Sequence, residues 1–398
     1  MINNTDISDR IVAIFHKMLS NETKNVLLHE PAFKGNEWTY IKECLDTGWV
    51  SSVGAYVDRF EKDLAQFTGS PYAVAVVNGT AALHISLLIA GVQPNDEVMI
   101  PSLTFVATAN AVTYCGATPH LIDVTHDTLG VDAIKLGDYL KEIAIIQQDG
   151  HYYNKYTGRR LSAVVPMHTF GHPVDLEGLL EVCNRYHLAL VEDAAESLGS
   201  YYKGKHTGTY GHIAALSFNG NKIITTGGGG AILTANEEWA KRAKHLTTTA
   251  KIPHRWLFIH DETAYNYRLP NLNAALGCAQ LEQLPLFLEQ KRKLANLYAQ
   301  EFKQIPELTF VKEPTDTSSN YWLNTLKLNT PDSSIRDEIL KKTNDHGFMT
   351  RPTWTPMHKL EIYKSSPQMD LSVTEEIASS VINIPSSPAL LNSATKEE

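Results

Sequence analysis

Residues 72–92, YAVAVVNGTAALHISLLIAGV, set the architecture of this chain. The apolar run YAVAVV turns at Asn78-Gly79-Thr80 into a helical segment opening at Ala81. A run that is apolar throughout, rather than at every second residue, marks a strand covered on both faces. Asn78, Gly79, Thr80, His84 and Ser86 interrupt the stretch, so it falls short of the roughly 20 uninterrupted apolar residues of a membrane span. The same alternation recurs downstream. EVMIPS (97–102) precedes the helical FVATANAVTYCG (105–116), and LSAVVPMH (161–168) precedes LEGLLEVCNRYH (176–187). LALVEDAA (188–195), AALSFNG (214–220) and GAILTA (230–235) complete the set. Short β-like runs alternating with helices specify an α/β fold with a largely parallel sheet.

Beyond about residue 260 the alternation fades. Residues 271–305 read as one long helix or two, with Pro285 as a kink or break. Short strands (YWLNTLKL, 321–328) and helices (SIRDEILKKTNDHG, 334–347) follow. Three units are expected: an N-terminal helical extension over 1–25, carrying the amphipathic ISDRIVAIFHKMLS (7–20), a large domain over 26–289, and a smaller C-terminal α+β domain over 290–398.

Composition narrows the function classes. The 35 basic and 44 acidic residues give a net charge of −9, which argues against binding a nucleic-acid backbone. Cys44, Cys115, Cys183 and Cys278 are widely spaced, with no C-x-x-C pair. They point to reduced structural thiols rather than a disulfide framework or a cysteine zinc site. The polar start MINNTDISDR lacks the layout of a signal peptide. A cytoplasmic enzyme without a membrane partner is the expectation.

Three segments carry chemistry. In ALSFNGNKIITTGGGGAILTA (215–235), Lys222 sits in a polar turn before four glycines. A lysine that forms a Schiff base needs a shielded cleft, and glycines let backbone approach a ligand. In LALVEDAAESLGS (188–200), Asp193 ends a buried run, at the carboxyl end of a strand where open α/β sheets bind ligands. It pairs with a protonated ring nitrogen, or else Glu192 and Asp193 cap a following helix. In VVNGTAALH, the helix N-terminus suits a phosphate, with Thr80 either a ligand or an N-cap.

These segments occur in a fixed order with Phe105 in PSLTFVATANAV and with YNYRLPNLNAALG (265–277). Over roughly residues 26–390 the chain resembles the DegT/DnrJ family of nucleotide-sugar aminotransferases, which use pyridoxal phosphate on the type I aminotransferase fold. HEPAFKGNEW, DTGWVSSVG, KHLTTTAK and RPTWTPMHKL resemble its bacillosamine/legionaminic-acid branch. One departure is Ala264, where the family pattern has glycine before YNYR.

The resemblance implies a role for each matching residue. Lys222 is the Schiff-base lysine and Asp193 the partner of the pyridine nitrogen. Phe105 stacks on the ring and Glu196 lies at its hydroxyl side. Gly79, Thr80, Ala81 and Ser217 contact the phosphate. Asn266 reaches the phosphate of a neighbouring subunit's cofactor, which implies a homodimer with shared active sites. The implied reaction moves an amino group from L-glutamate to C4 of a UDP-4-keto-6-deoxy-N-acetylhexosamine. GDP- or dTDP-linked sugars and a non-catalytic cofactor-binding regulator are the alternatives. Dehydratases of the same fold carry histidine at the position of Lys222, which speaks against that reaction.

Other residues are candidates for substrate contact. His168, with His172 in PMHTFGHPVD, is structural or substrate-facing; Gly171 and Pro173 disfavour the helix a metal pair at this spacing requires. Lys251, with His254 and Arg255, lies in a solvated loop or near the nucleotide diphosphate. Arg351, with Trp354 and His358, offers a guanidinium for a diphosphate and an indole for a base or sugar.

Overall fold

The computed structural model describes residues 6–19 and 25–390. The ends of the expected extension (1–5 and 20–25, save residue 25) and the last eight residues of the expected small domain lie outside that range. Seven strands form the central sheet: β1 (Tyr72–Val76), β2 (Glu97–Pro101), β3 (Thr118–Ile122), β4 (Leu161–Val164), β5 (Ala189–Asp193), β6 (Ile213–Ser217) and β7 (Gly230–Thr234). Their spatial order is β1-β7-β6-β5-β4-β2-β3. All pairings are parallel except those of β7, which runs antiparallel to both β1 and β6.

Strand periodicity explains the layers. In β6, Ile213 and Ala215 face one core while Ala214 and Leu216 face another. In β7, Ile232 divides from Ala231 and Leu233 in the same way. Successive side chains point to opposite faces, so both faces must be apolar and both are covered. Helices α4 (Gly79–Ile89), α5 (Val106–Tyr114) and α8 (Glu237–Thr247) pack on one face. On the other face lie α3 (Ala55–Thr68) and α9 (Asn271–Glu301) beside β1, β6 and β7. There too α6 (Ala133–Ile143) and α7 (Leu176–Arg185) cover β2–β5.

The reversed direction of β7 matters for function. It places Gly230, the first residue of β7, opposite both Val76 and Ser217, the last residues of β1 and β6. The strand ends and the glycine-rich loop therefore meet at one rim.

A four-stranded antiparallel sheet, β8 (Leu308–Phe310), β9 (Asn324–Leu328), β10 (Arg351–Pro352) and β11 (Val381–Ile384), is ordered β8-β9-β11-β10. It packs with α10 (Ser333–Asp345) and α11 (Ser372–Ser380). Two details that the sequence leaves open are decided in the fold. Pro285 does not break α9, which runs for 31 residues through the expected boundary at 289/290. Proline removes one N–H from the ladder, but buried Leu281, Leu284 and Phe287 hold the flanking turns in the core. Helix α1 (Ile7–Leu19) is also more than an appendage. Its Ile11, Ile14 and Phe15 share a core with Tyr298, Leu326 and Ile382 of the C-terminal region.

Candidate active site

A cavity of about 220 Å³ lies over the carboxyl ends of β1, β5 and β6. Gly79, Thr80, Phe105, Asp193, Glu196, Ser217 and Lys222 all line it, with Trp322 and Trp354 from the C-terminal region closing it.

Asp193 forms the floor. It is 3% exposed. Its Oδ2 accepts a 2.7 Å hydrogen bond from Thr108 Oγ1, and its Oδ1 accepts from the Ala195 N–H at 3.2 Å. Burial pushes its pKa above the ordinary carboxylate value, opposed by Thr108, the Ala195 N–H and Lys222. A protonated pyridine nitrogen here would restore the lost stabilisation of the anion. Glu192, the neighbouring acid, points to the other face of the strand. Its carboxylate accepts from the N–H groups of Gly208, Tyr210 and Gly211 and pairs with His168 Nε2. A turn, not a helix, follows Asp193, so a helix-capping role for these acids is absent.

Lys222 enters from the loop joining β6 to β7. Phe218 pins the neck of that loop: its N–H donates to Gly229 O at 2.8 Å and its own carbonyl accepts from the Thr226 N–H at 3.0 Å. The Phe218 ring is buried edge-on against Phe60. Lys222 Nζ lies 3.3 Å from Glu196 Oε1 and 4.0 Å from the centroid of the Trp322 ring. Glu196 Oε2 accepts the Phe170 N–H at 2.9 Å. Burial pushes the Glu196 carboxyl up to about 6, against the pull of Lys222 and the Phe170 N–H. Trp322 is fixed in turn, its Nε1 donating to Asn221 O at 2.7 Å. Asn320 Nδ2 ties this segment to the carbonyls of Glu196 and Leu198.

The N-terminus of α4 borders the opposite end of the cavity. Asn78 is its N-cap, with Oδ1 accepting the Ala81 N–H at 2.8 Å. The helix thus begins at Gly79, two residues before the expected start, and Thr80 lies inside it. Free N–H groups and the helix dipole suit an anion. Glycine is required at two points. A Cβ on Gly79 would lie 2.8 Å from Ser217 Cβ, and one on Gly230 would lie 2.6 Å from the Asn78 backbone.

Several expectations need correction. Ala81 is buried, does not line the cavity, and spends its N–H on Asn78. His168 is fully buried beneath the site, bound to Glu192 and to the Val174 N–H, and faces no substrate space. His172 packs edge-on to Tyr321, so the two histidines engage different partners. Lys251 lies 3.9 Å from the Phe258 ring centroid in an outlying hairpin and is not at the cavity. His358 is held between Ser102 and Glu375. Asn266, expected to serve a neighbouring subunit's site, is exposed and lies outside its own chain's cavity, which is compatible with that expectation.

Arg351 and Trp354 line a second cavity of about 510 Å³ with His29, Met349, Thr353 and Asn383. It shares Asn221, Trp322 and Trp354 with the first. Trp322, Thr108 and His29 border or support the cavities without belonging to any of the sequence's candidate residues. Thr108 sits three residues after Phe105, on the same side of α5, and that spacing was readable.

A lysine and a buried carboxylate flanking one cavity, with a helix N-terminus at its end, fit pyridoxal phosphate at each functional group. With the seven-stranded sheet, they define a pyridoxal-phosphate-dependent aminotransferase of the type I fold. The chain belongs to the DegT/DnrJ/EryC1/StrS aminotransferase family, whose model matches residues 31–397. It is 37% identical over 363 residues to GDP-perosamine synthase of Caulobacter vibrioides, covering 90% of this chain and 92% of that one. It is 36% identical over 369 residues to GDP-perosamine synthase of Escherichia coli O157:H7, covering 93% and 95%. The aminotransferase TlmJ from Streptoalloteichus hindustanus superposes with a TM-score of 0.82 at 28% identity, covering 93% and 95%. Pyridoxal phosphate is the cofactor. Among the described residues, no helix is long and apolar enough to cross a membrane.

Proposed function

We propose that this protein transfers an amino group from L-glutamate to C4 of a GDP-linked 4-keto sugar. The observation that carries the reading is the convergence of Lys222 and Asp193 on one cavity beside a larger one that Arg351 borders. The similarity to GDP-perosamine synthases across nine-tenths of the chain supports a GDP-linked sugar. The UDP-linked substrate and the bacillosamine/legionaminic-acid branch expected from sequence find no support in these relatives.

When bound, pyridoxal phosphate supplies an electron sink for the carbanion formed at the donor's Cα. The chain's residues do the rest. Asp193 holds a proton on the ring nitrogen. The Gly79 and Thr80 end of α4 and Ser217 hold the phosphate. Lys222 Nζ takes the proton from the donor Cα and returns one to the sugar's C4. Glu196 and the Trp322 face keep Nζ in place between these acts. Trp322 and Trp354 close over the cavity from the C-terminal region and limit the access of water. Two substrates use one site in turn, so ping-pong kinetics follow.

The same reading includes a homodimer with shared sites. It is supported by Asn266, which is exposed on the segment bridging Thr248 and lies outside its own cavity. Refolding Lys222→Ala with Asn266→Ala chains restores part of the activity in a shared-site dimer. No recovery after confirmed subunit exchange, with Asn266→Ala itself impaired, rules the sharing out.

The direct test supplies L-glutamate and a panel of GDP-, UDP- and dTDP-linked 4-keto sugars, with products identified by mass. The GDP-linked sugar is expected to gain the amine. Preference for a UDP-linked sugar overturns the nucleotide assignment, and cofactor binding without any turnover supports the regulator.

A further inference from the structure

The second cavity contains a polar side chain that no part of the mechanism uses. His29 lies on the segment between α1 and α2 (Glu37–Thr47) and lines this cavity together with Arg351, Asn383 and Trp354. Both of its ring nitrogens are hidden from bulk water, and among the described residues neither has a hydrogen-bond partner. A hidden imidazole without partners is costly unless something else supplies them. The space beside it is the cavity.

The chemistry of the missing partner can be narrowed. Burial, then the positive charges of Lys291 and Lys222, hold the His29 pKa well below the ordinary imidazole value. The ring is therefore neutral and presents one N–H donor and one bare nitrogen acceptor. A carboxylate or phosphate offers acceptors only and could meet the N–H but never the bare nitrogen, whereas a hydroxyl can meet either. A hydroxyl both donates and accepts. The charged role in this cavity falls to Arg351, whose guanidinium makes no ion pair among the described residues and lies at the exposed rim. The cavity thus divides into a cationic rim and a neutral interior bounded by Trp322 and Trp354, next to Lys222.

From this geometry we infer that His29 is a specificity residue that hydrogen-bonds a hydroxyl of the keto sugar, beside the carbon that receives the amine. The inference rests on reading the second cavity as the nucleotide-sugar site.

The test separates the two half-reactions. His29→Leu removes both hydrogen-bonding atoms, and His29→Gln keeps a donor and an acceptor. In stopped-flow spectra, His29→Leu is expected to react with L-glutamate at the wild-type rate. Its kcat/KM for the keto sugar is expected to fall about tenfold, the scale of one lost hydrogen bond. Its Kd for the amino-sugar product, measured by calorimetry, should rise equally, and His29→Gln should recover part of the loss. Against 2-deoxy or 3-deoxy forms of the sugar, whichever lacks the contacted hydroxyl, wild type and His29→Leu should become equal. Equal slowing of both half-reactions overturns the proposal, because His29 would then act on the cofactor or on folding. Unchanged kinetics and Kd in both variants overturn it too. If wild type accepts only a UDP-linked sugar, the GDP reading fails while the His29 test proceeds on that sugar. Turnover with no nucleotide sugar overturns both.

Discussion

Thr108 Oγ1 donates a 2.7 Å hydrogen bond to Asp193 Oδ2, joining the first turns of α5 to the carboxyl end of β5. Phe105, which caps the same helix, lines the cavity above it. One helix thus supplies an aromatic wall of the cavity and fixes the carboxylate on its floor. Thr108→Val keeps the shape and removes the donor. We expect cofactor affinity to fall about tenfold, read from an absorbance titration. Unchanged affinity would show that the Ala195 N–H alone orients Asp193.

Asp193→Asn should fold and bind cofactor yet transaminate at least roughly a hundredfold more slowly, the usual cost of losing a key electrostatic stabiliser. The amide cannot hold a proton on the ring nitrogen. Glu192 cannot substitute, since its oxygens are committed to His168 and three backbone N–H groups. Single-turnover kinetics with L-glutamate check this, and near-normal rates would refute it.

Lys222→Ala should still bind cofactor through the α4 N-terminus, Ser217 and Asp193. It should lose the covalent link that borohydride makes permanent in the wild type. Mass spectrometry of the reduced protein decides: a cofactor adduct surviving in the variant would assign the link to another lysine.

Glu196 gives a pH prediction for the cofactor-free protein. Its carboxyl is pushed from the ordinary 4.5 to about 6, chiefly by burial. Between those values the folded state holds more protons than the unfolded one, so stability falls as pH rises through this window. That elevation corresponds to about 2 kcal/mol in all. Glu196→Gln cannot titrate. Denaturant unfolding at pH 4.5, where the unfolded carboxyl is already half ionised, and at pH 7.5 should therefore show wild type losing about 1.6 kcal/mol relative to the variant. A constant difference would remove Glu196 as the cause.

Gly230→Ala tests the cradle. The added Cβ would lie 2.6 Å from the Asn78 carbonyl carbon and oxygen, which are backbone and cannot rotate away. Overpacking of this kind typically costs about 1–3 kcal/mol. Because Asn78 caps α4, the phosphate end should be disturbed as well. A lower melting temperature with weakened cofactor binding is expected, and wild-type values for both would contradict the close approach.

Fold class, the succession of strands and helices over residues 72–235, and Lys222 and Asp193 as candidates for one site were legible in the chain itself. Buried strands and amphipathic helices leave local, periodic patterns. Asp193 and Ser217 end apolar runs, so their position at the sheet's rim follows from the chain direction. Features that depend on contacts between distant segments emerge only in the folded chain. Asn78, rather than Thr80, caps α4, because only the fold shows which oxygen meets the Ala81 N–H. His168 was drawn away from the substrate by Glu192, 24 residues onward. Pro285 stayed inside a continuous helix, because burial of its neighbours outweighed one lost hydrogen bond. Trp322 came to lie against Lys222 although a hundred residues separate them. No periodicity records such a meeting, which arises when the C-terminal region closes over the rim of the sheet.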